Sequence, residues 1–354
     1  MALCKSALGR VTRRGENSIR NEGNGARWIF SARCVIIFAI KADCRKGWDE
    51  MLDVCLLGTG GMMPLKNRFL ASCILRLNGH CALLDCGEGT QVALKMSNFT
   101  FKPIDVLCVT HLHADHISGL PGLLLSMGNE GRTEKLTILG PFGIKEVVRC
   151  LRVIVPGLPF AVECVEMTAE EEHFSLAGFE ITAFPVHHRV PCYGYVFEAL
   201  RQGRFDVERA QAADIPRRYW NALQHGRTVE ADGRVLTPDM VLGPARRGLK
   251  VTYCVDTRPI AAIAGHAKGS DLFICEGTFG DEEKRARAVE TRHMTFREAA
   301  KLAEAAQPGE LWLTHYSPSL VAPEPYMEQT RKIFARAYAG TDGKRTTLTF
   351  SKDE

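Results

Sequence analysis

His111-Leu112-His113-Ala114-Asp115-His116 follows directly on the apolar run Ile104 to Thr110. Three imidazoles and a carboxylate on one turn after a buried strand converge on a point, and imidazole with carboxylate is a ligand set for zinc and similar ions. A lone histidine is usually a satisfied core residue, whereas four such groups together are poorly explained that way. The spacing is too tight for all four to hold a single tetrahedral ion. It predicts two ions a few ångströms apart, with His111 and His113 on one and Asp115 and His116 on the other. Two such ions need further ligands, expected where other strands end: His188, Asp256 and His315 each follow a predicted strand. Asp256 could serve both ions, because a carboxylate has two oxygens and an imidazole has one free lone pair for a metal. His187 reads as a core residue or as a support behind the ligands.

From Met51 onward, short apolar and β-branched runs alternate with helical patterns. The patterns predict strands over Leu52 to Leu57, Cys73 to Leu77, Ala82 to Asp85, Ile104 to Thr110 and Leu136 to Leu139. A second series is expected at Ala161 to Met167, Phe179 to Val186, Tyr193 to Glu198, Val251 to Val255, Leu272 to Cys275 and Leu311 to Thr314. Helices are expected over Gln91 to Ser97, Leu120 to Met127, Gly143 to Val153, Pro259 to Ala267, Asp281 to Glu290 and Phe296 to Ala306. Thr295, with Glu298 three residues on, has the capping-box spacing of a helix start. Residues 200–249 lose the strand pattern and are rich in arginine, from Arg201 to Arg247. They read as an insertion with its own task, or as a solvated excursion without a partner.

The chain has 354 residues, 45% of them hydrophobic and 24% charged, so wholesale disorder is excluded and a core needs no staples. A net charge of +4 permits an acidic ligand without requiring one. No run reaches the roughly 18 apolar residues of a membrane-spanning helix, so no membrane partner is expected. Thirteen cysteines, an odd number with no CxxC pair, argue against a disulfide scaffold and for a reducing cytoplasm. Residues 1–50 stand apart, with ten Lys or Arg against five Asp or Glu. They partly resemble an organelle transit peptide, but the favoured reading is a translated upstream stretch with no fold of its own, Met51 opening the first strand.

His111 to His116 resembles the signature of the metallo-β-lactamase superfamily, and the flanking blocks resemble the ribonuclease Z family, endonucleases that mature the 3′ end of transfer RNA. Those blocks are Leu57 to Gly61, Asp85-Cys86-Gly87-Glu88-Gly89-Thr90-Gln91, His188 with Cys192 to Tyr195, Asp256-Thr257-Arg258-Pro259 and Thr314-His315-Tyr316-Ser317. The resemblance spans Met51 to about Ser351. It implies a four-layer αββα sandwich, the metallo-β-lactamase fold, with a protruding arm. It implies two Zn2+ per subunit, one held by His111, His113, His188 and Asp256, the other by Asp115, His116, Asp256 and His315. All seven ligands should then lie at one edge of the sheets.

The same resemblance implies that Asp115 orients and deprotonates water, and that Asp85 and Glu88 support the ligand loop from beneath. Glu88 reads equally well as a polar turn residue. His293 is the implied acid, although Met294 stands where the family usually has Ser. The implied substrate is precursor tRNA, gripped by the arm at 200–249, and the implied assembly is a homodimer. Within the arm, Arg217, Arg218, Tyr219 and Trp220 are candidates for phosphate contact and base stacking, with burial of Tyr219 and Trp220 in the arm's own core as the competing reading. A small phosphodiester, thioester or β-lactam substrate would keep the same fold and ions but leave the basic arm without a use. A catalytically silent RNA-binding subunit would need broken ligand motifs, and none is broken here.

Overall fold

The strand β1 (Met51–Gly58) is a continuous apolar run because both of its faces are covered. Leu52, Val54 and Leu56 join one core, and the alternate residues Cys55 and Leu57 join another, as the two-residue period of a strand requires. The computed structural model describes residues 51–351 apart from 169 and 232. The expectation for residues 1–50 therefore lies outside the described residues.

Chain order continues with β2 (Ser72–Leu77), β3 (His80–Leu84), α1 (Thr90–Met96), β4 (Ile104–Cys108), α2 (Ala114–Ile117), α3 (Leu120–Asn129), β5 (Leu136–Pro141), α4 (Ile144–Leu151) and β6 (Val162–Met167). Next come β7 (Glu172–Leu176), β8 (Phe179–Pro185) and β9 (Tyr193–Arg201). The insertion holds α5 (Val207–Ala212), α6 (Arg217–Gln224) and the hairpin β10 (Val229–Ala231) with β11 (Arg234–Leu236). The chain closes with β12 (Arg246–Cys254), α7 (Ala261–Ala267), β13 (Leu272–Glu276), α8 (Arg285–Thr291), α9 (Phe296–Ala306), β14 (Glu310–Thr314), α10 (Glu324–Ile333), β15 (Ala337–Ala339) and β16 (Arg345–Thr349).

Two seven-stranded mixed sheets result, in the orders β16-β1-β2-β3-β4-β5-β6 and β15-β14-β13-β12-β9-β8-β7. Their facing sides share one core, in which Leu56, Leu75 and Val106 of the first sheet meet Phe197, Tyr253 and Ile274 of the second. Helices α1, α3 and α4 cover the outer face of the first sheet, and α7, α9 and α10 that of the second. The layers are helix, sheet, sheet, helix, the expected αββα sandwich. No helix among the described residues is long and apolar enough to cross a membrane.

The insertion differs from its expected bounds. β9 and β12 pair as far as Arg201 and Arg246, so both margins of the 200–249 stretch are sheet, and its middle carries a hairpin. Polar residues at those strand ends hide the pattern. The strands β7 and β16 were also unannounced, because each is an edge strand whose residues are all at least partly exposed, leaving no apolar alternation to read. The helix expected over Asp281 to Glu290 starts as a 3-10 turn at Glu282–Lys284 and becomes α8. The capping box at Thr295 and Glu298 is present at the start of α9.

The C-terminal strand β16 is latched by one carboxylate. Asp53 on β1 accepts from Thr347 Oγ1 at 2.6 Å and Arg345 at 2.8 Å, and also from Arg76 on β2. Burial would raise the Asp53 pKa, but the bonds from Thr347, Arg76 and Arg345 outweigh it and hold the carboxyl below its usual range. A depressed folded pKa contributes stability that is present above the unfolded value of about 3.9 and lost as pH falls through the folded value. Asp53→Asn is therefore expected to cost about 1–2 kcal/mol at pH 7, with the difference from the parent closing towards pH 3, as read by urea denaturation at both pH values.

Candidate metal centre

The parallel strands of each sheet deliver their carboxyl ends to one edge, where ligands commonly bind in α/β proteins. At that edge the backbone turns abruptly in three places. Asp85 after β3, Asp256 just beyond β12 and His315 after β14 have φ of 55°, 54° and 57°. This left-handed region costs an ordinary L residue about 1–3 kcal/mol, and Asp and His are among the residues that visit it most readily. Each reversal places a polar side chain at the sheet margin. The fourth strand end, β4, runs into Thr110 and the loop that carries His111 to His116. The two sheets are tied together there, Tyr195 Oη donating to the Val109 carbonyl at 2.8 Å and Tyr193 N to the Thr110 carbonyl at 3.0 Å.

All seven residues expected as ligands meet at this edge, in two groups. His111 Nε2 lies 2.8 Å from His113 Nδ1, and His188 Nε2 lies 3.4 Å from that same nitrogen. Asp256 Oδ1 stands 3.9 Å from His111 Nε2 and 4.0 Å from His188 Nε2. In the second group, His116 Nε2 and His315 Nε2 are 3.1 Å apart. Asp115 Oδ2 is 3.6 and 3.5 Å from these two nitrogens, and Asp256 Oδ2 is 3.0 and 3.1 Å from them. Asp256 Oδ2 is buried and makes no hydrogen bond despite these neighbours. Lone pairs that face one another in this way repel unless a cation lies between them, so the donor set fits two zinc ions sharing Asp256.

Hydrogen bonds behind the donors fix which atom faces the centre. Asp85 Oδ2 is 2.8 Å from His116 Nδ1, while its other oxygen accepts from Thr110 N at 2.8 Å. The Nδ1–H of His188 donates to the Arg292 carbonyl at 3.4 Å. Arg292 itself has φ 64°, and its guanidinium donates to His187 Nε2 at 2.9 Å. His187 is exposed, which excludes its core reading, and it is linked to His188 through Arg292. Glu88 is a correction: it is exposed on the turn after Gly87. Gly87 packs so tightly on the Asp115 carbonyl that a Cβ there would come within 2.5 Å of it, and beyond it the chain turns outward. Of these two carboxylates, Asp85 is the one that contacts the loop.

Glu276, at the end of β13, was missed by sequence reasoning. It is fully buried and accepts from Met294 N at 2.9 Å and Thr278 Oγ1 at 2.7 Å, with His293 Nδ1 at 3.3 Å. Burial lowers the His293 pKa, but the charge and hydrogen bond of Glu276, with Asp256 beyond, push it up to about 9. Burial and the adjacent His116 hold His111 well below the ordinary imidazole range, and burial lowers His188, favouring the form that ligates. His116 moves the other way: burial is outweighed by Asp256 and Asp85, carboxylates that draw positive charge to this point. Burial is likewise overcome at Asp115, held low by His315 and His116.

The donors open into a cleft of about 700 Å3, lined also by Met62, Arg189, Lys284, Arg287 and His293. The arm candidates lie elsewhere, on α6. Tyr219 and Trp220 pack against a small core of the insertion, Trp220 Nε1 donating to the Ile215 carbonyl at 2.8 Å. Arg217 and Arg218 are exposed beside them. The competing reading of the two aromatics is therefore the one their surroundings support.

The family model for the Anti-Pycsar protein Apyc1 matches residues 52–202. The metallo-β-lactamase fold protein YhfI from Bacillus subtilis superposes with a TM-score of 0.62 at 18% identity, over 84% of this chain and 100% of that one. The short form of human tRNase Z gives 0.61 at 24% identity, over 83% and 98%. The fold and the paired donor groups define a metallo-β-lactamase-fold, metal-dependent hydrolase. Ribonuclease Z of Agathobacter rectalis is 59% identical over 303 residues, 86% of this chain and 100% of the relative. Ribonuclease Z of Clostridium acetobutylicum is 45% identical over 309 residues, again 86% and 100%. The chain belongs to the ribonuclease Z family.

Asp85→Asn tests the support of His116. The amide either loses the Thr110 N–H or turns its NH2 towards His116 Nδ1, forcing a proton onto the nitrogen that faces the centre. Zinc affinity at that position is expected to fall about 10- to 100-fold, measured by chelator competition, with circular dichroism unchanged.

Proposed function

We propose that this chain is a zinc-dependent endoribonuclease that hydrolyses a phosphodiester at the 3′ end of precursor tRNA and removes the 3′ trailer. The observation that carries this reading is the double donor group around Asp256 at the floor of a cleft whose rim includes Arg189, Lys284 and Arg287. His111, His113, His188 and Asp256 would hold one ion, and Asp115, His116, Asp256 and His315 the other. Bound zinc lowers the pKa of water and offsets charge building on the phosphoryl oxygens.

The protein's own groups then have distinct tasks. Asp115 has its Oδ2 fixed by the Met62 N–H at 2.7 Å, which leaves Oδ1 to take a proton from the attacking water. His293, held at Nδ1 by Glu276, gives a proton from Nε2 to the leaving oxygen. Arg189, Lys284 and Arg287 seat the flanking phosphates. On the arm, Arg217 and Arg218 contact the phosphates of the tRNA body, while Tyr219 and Trp220 give α6 its footing. The family resemblance extends the proposal to a homodimer in which one arm serves the other subunit's site. The free thiols of the described cysteines suit a cytoplasmic location.

Incubation with precursor tRNA and mapping of the ends tests the proposal, which expects one cut releasing the trailer; random degradation or no cleavage contradicts it. Under single-turnover conditions, Asp115→Asn is expected to retain most of its metal and lose most of its rate. His293→Ala should keep both metals and slow cleavage by roughly 100-fold or more. Elemental analysis alongside the rates separates the two effects.

A further inference from the structure

A second, smaller cavity adjoins the metal centre on the far side of His113. It measures about 210 Å3 and is lined by Leu112, His113, Pro141, Phe142, Val190 and Pro191. His113 is thus a wall common to this notch and the catalytic cleft, and Arg189 of the cleft precedes Val190 of the notch. The two cavities differ in chemistry. The cleft has cations and carboxylates, whereas every residue of the notch except His113 is apolar.

Phe142 is the exposed wall, with 73% of its surface accessible although Pro141 beside it is buried. Its turn is rigid. Gly143 N donates to Glu166 Oε1 at 2.9 Å, Val147 N returns to the Gly143 carbonyl at 3.0 Å, and Gly143 has φ 99° where a Cβ would touch Leu112. The ring is exposed and lines the same notch as Leu112, Val190 and Pro191. Single-stranded RNA carries a planar base, with π-faces suited to stacking, one ribose away from each phosphate, and unpaired bases are commonly stacked on exposed aromatic side chains. His113 lines both cavities, so the notch lies beside the place a phosphate would take at the metal centre.

We propose that this notch is a nucleobase subsite, in which the base of an unpaired nucleotide flanking the scissile phosphate stacks on Phe142 above Leu112, Val190 and Pro191. The inference rests on the nuclease reading and adds a residue that selects how the strand lies across the metals. Phe142→Ala is expected to reduce kcat/KM on precursor tRNA roughly 10- to 100-fold, and Phe142→Tyr to stay near the parent.

The test is a double-mutant cycle between Phe142→Ala and precursor tRNAs made abasic at the nucleotide on either side of the cut. At one of the two positions the abasic substrate should cost the parent enzyme a similar factor and cost Phe142→Ala nothing further. Losses that multiply at both positions, or a Phe142→Ala rate within two-fold of the parent, overturn the subsite. So does a Phe142→Ala protein whose loss follows a change of assembly on sizing chromatography. If the parent fails to cleave precursor tRNA, the nuclease reading falls by itself. Fluorescence anisotropy with a labelled single-stranded oligoribonucleotide then decides the subsite, equal binding by parent and Phe142→Ala counting against it.

Discussion

The Oδ2 oxygen of Asp256 is buried, accepts no hydrogen bond, and lies within 3.1 Å of two imidazole nitrogens. A buried carboxylate oxygen left in this state costs several kcal/mol unless positive charge compensates it. Five histidines and two aspartates are packed against one another with their donor atoms inward, an arrangement that draws positive charge, as bound cations or as a proton on His116. The same constraint explains why the site is built at strand ends. The ligands lie on short segments just past strand ends, and strands anchored on both faces by core residues hold those segments against the mutual repulsion of the groups.

Strain and support are placed accordingly. The left-handed conformations of Asp85, Asp256 and His315 occur at the margin of the sheets, where the ladder ends and the chain must reverse to present a ligand or its support. Behind them, Asp85 orients His116 through one oxygen and pins Thr110 through the other. On the opposite side, Glu276 ties His293 to the end of β13. Arg292 links its own strained backbone to both His187 and His188. His116 and His293 are therefore held by different buried carboxylates, and Glu276 also reaches the ligand side through Thr257, which follows Asp256, and through Thr278, which meets His315 Nδ1 at 3.4 Å.

Much of this was legible in the sequence, and the reason is locality. His111 to His116 is contiguous, so its meaning survives without a fold, and His188, Asp256 and His315 each follow an apolar run long enough to be read as a strand. Glu276 was not legible because it reads as the polar end of such a run. Its role exists only through the parallel register that sets Cys275 opposite Cys254 and brings Glu276 beside Thr257. Glu88 misled for the opposite reason: it stands three residues after Asp85, but the close packing at Gly87 sends it out to solvent. Trp220 and Tyr219 read as an aromatic surface because the small core they complete comes from residues scattered between Phe205 and Leu242.

The claim on which the account stands is that one carboxylate serves two ions. Native mass spectrometry of the purified protein, with Asp256→Asn beside it, addresses this most directly. The account predicts two zinc ions per chain in the parent and loss of both in the variant, whose amide offers one acceptor oxygen where two are needed. A parent that binds a single ion under zinc excess, or an Asp256→Asn protein that keeps both, would contradict it.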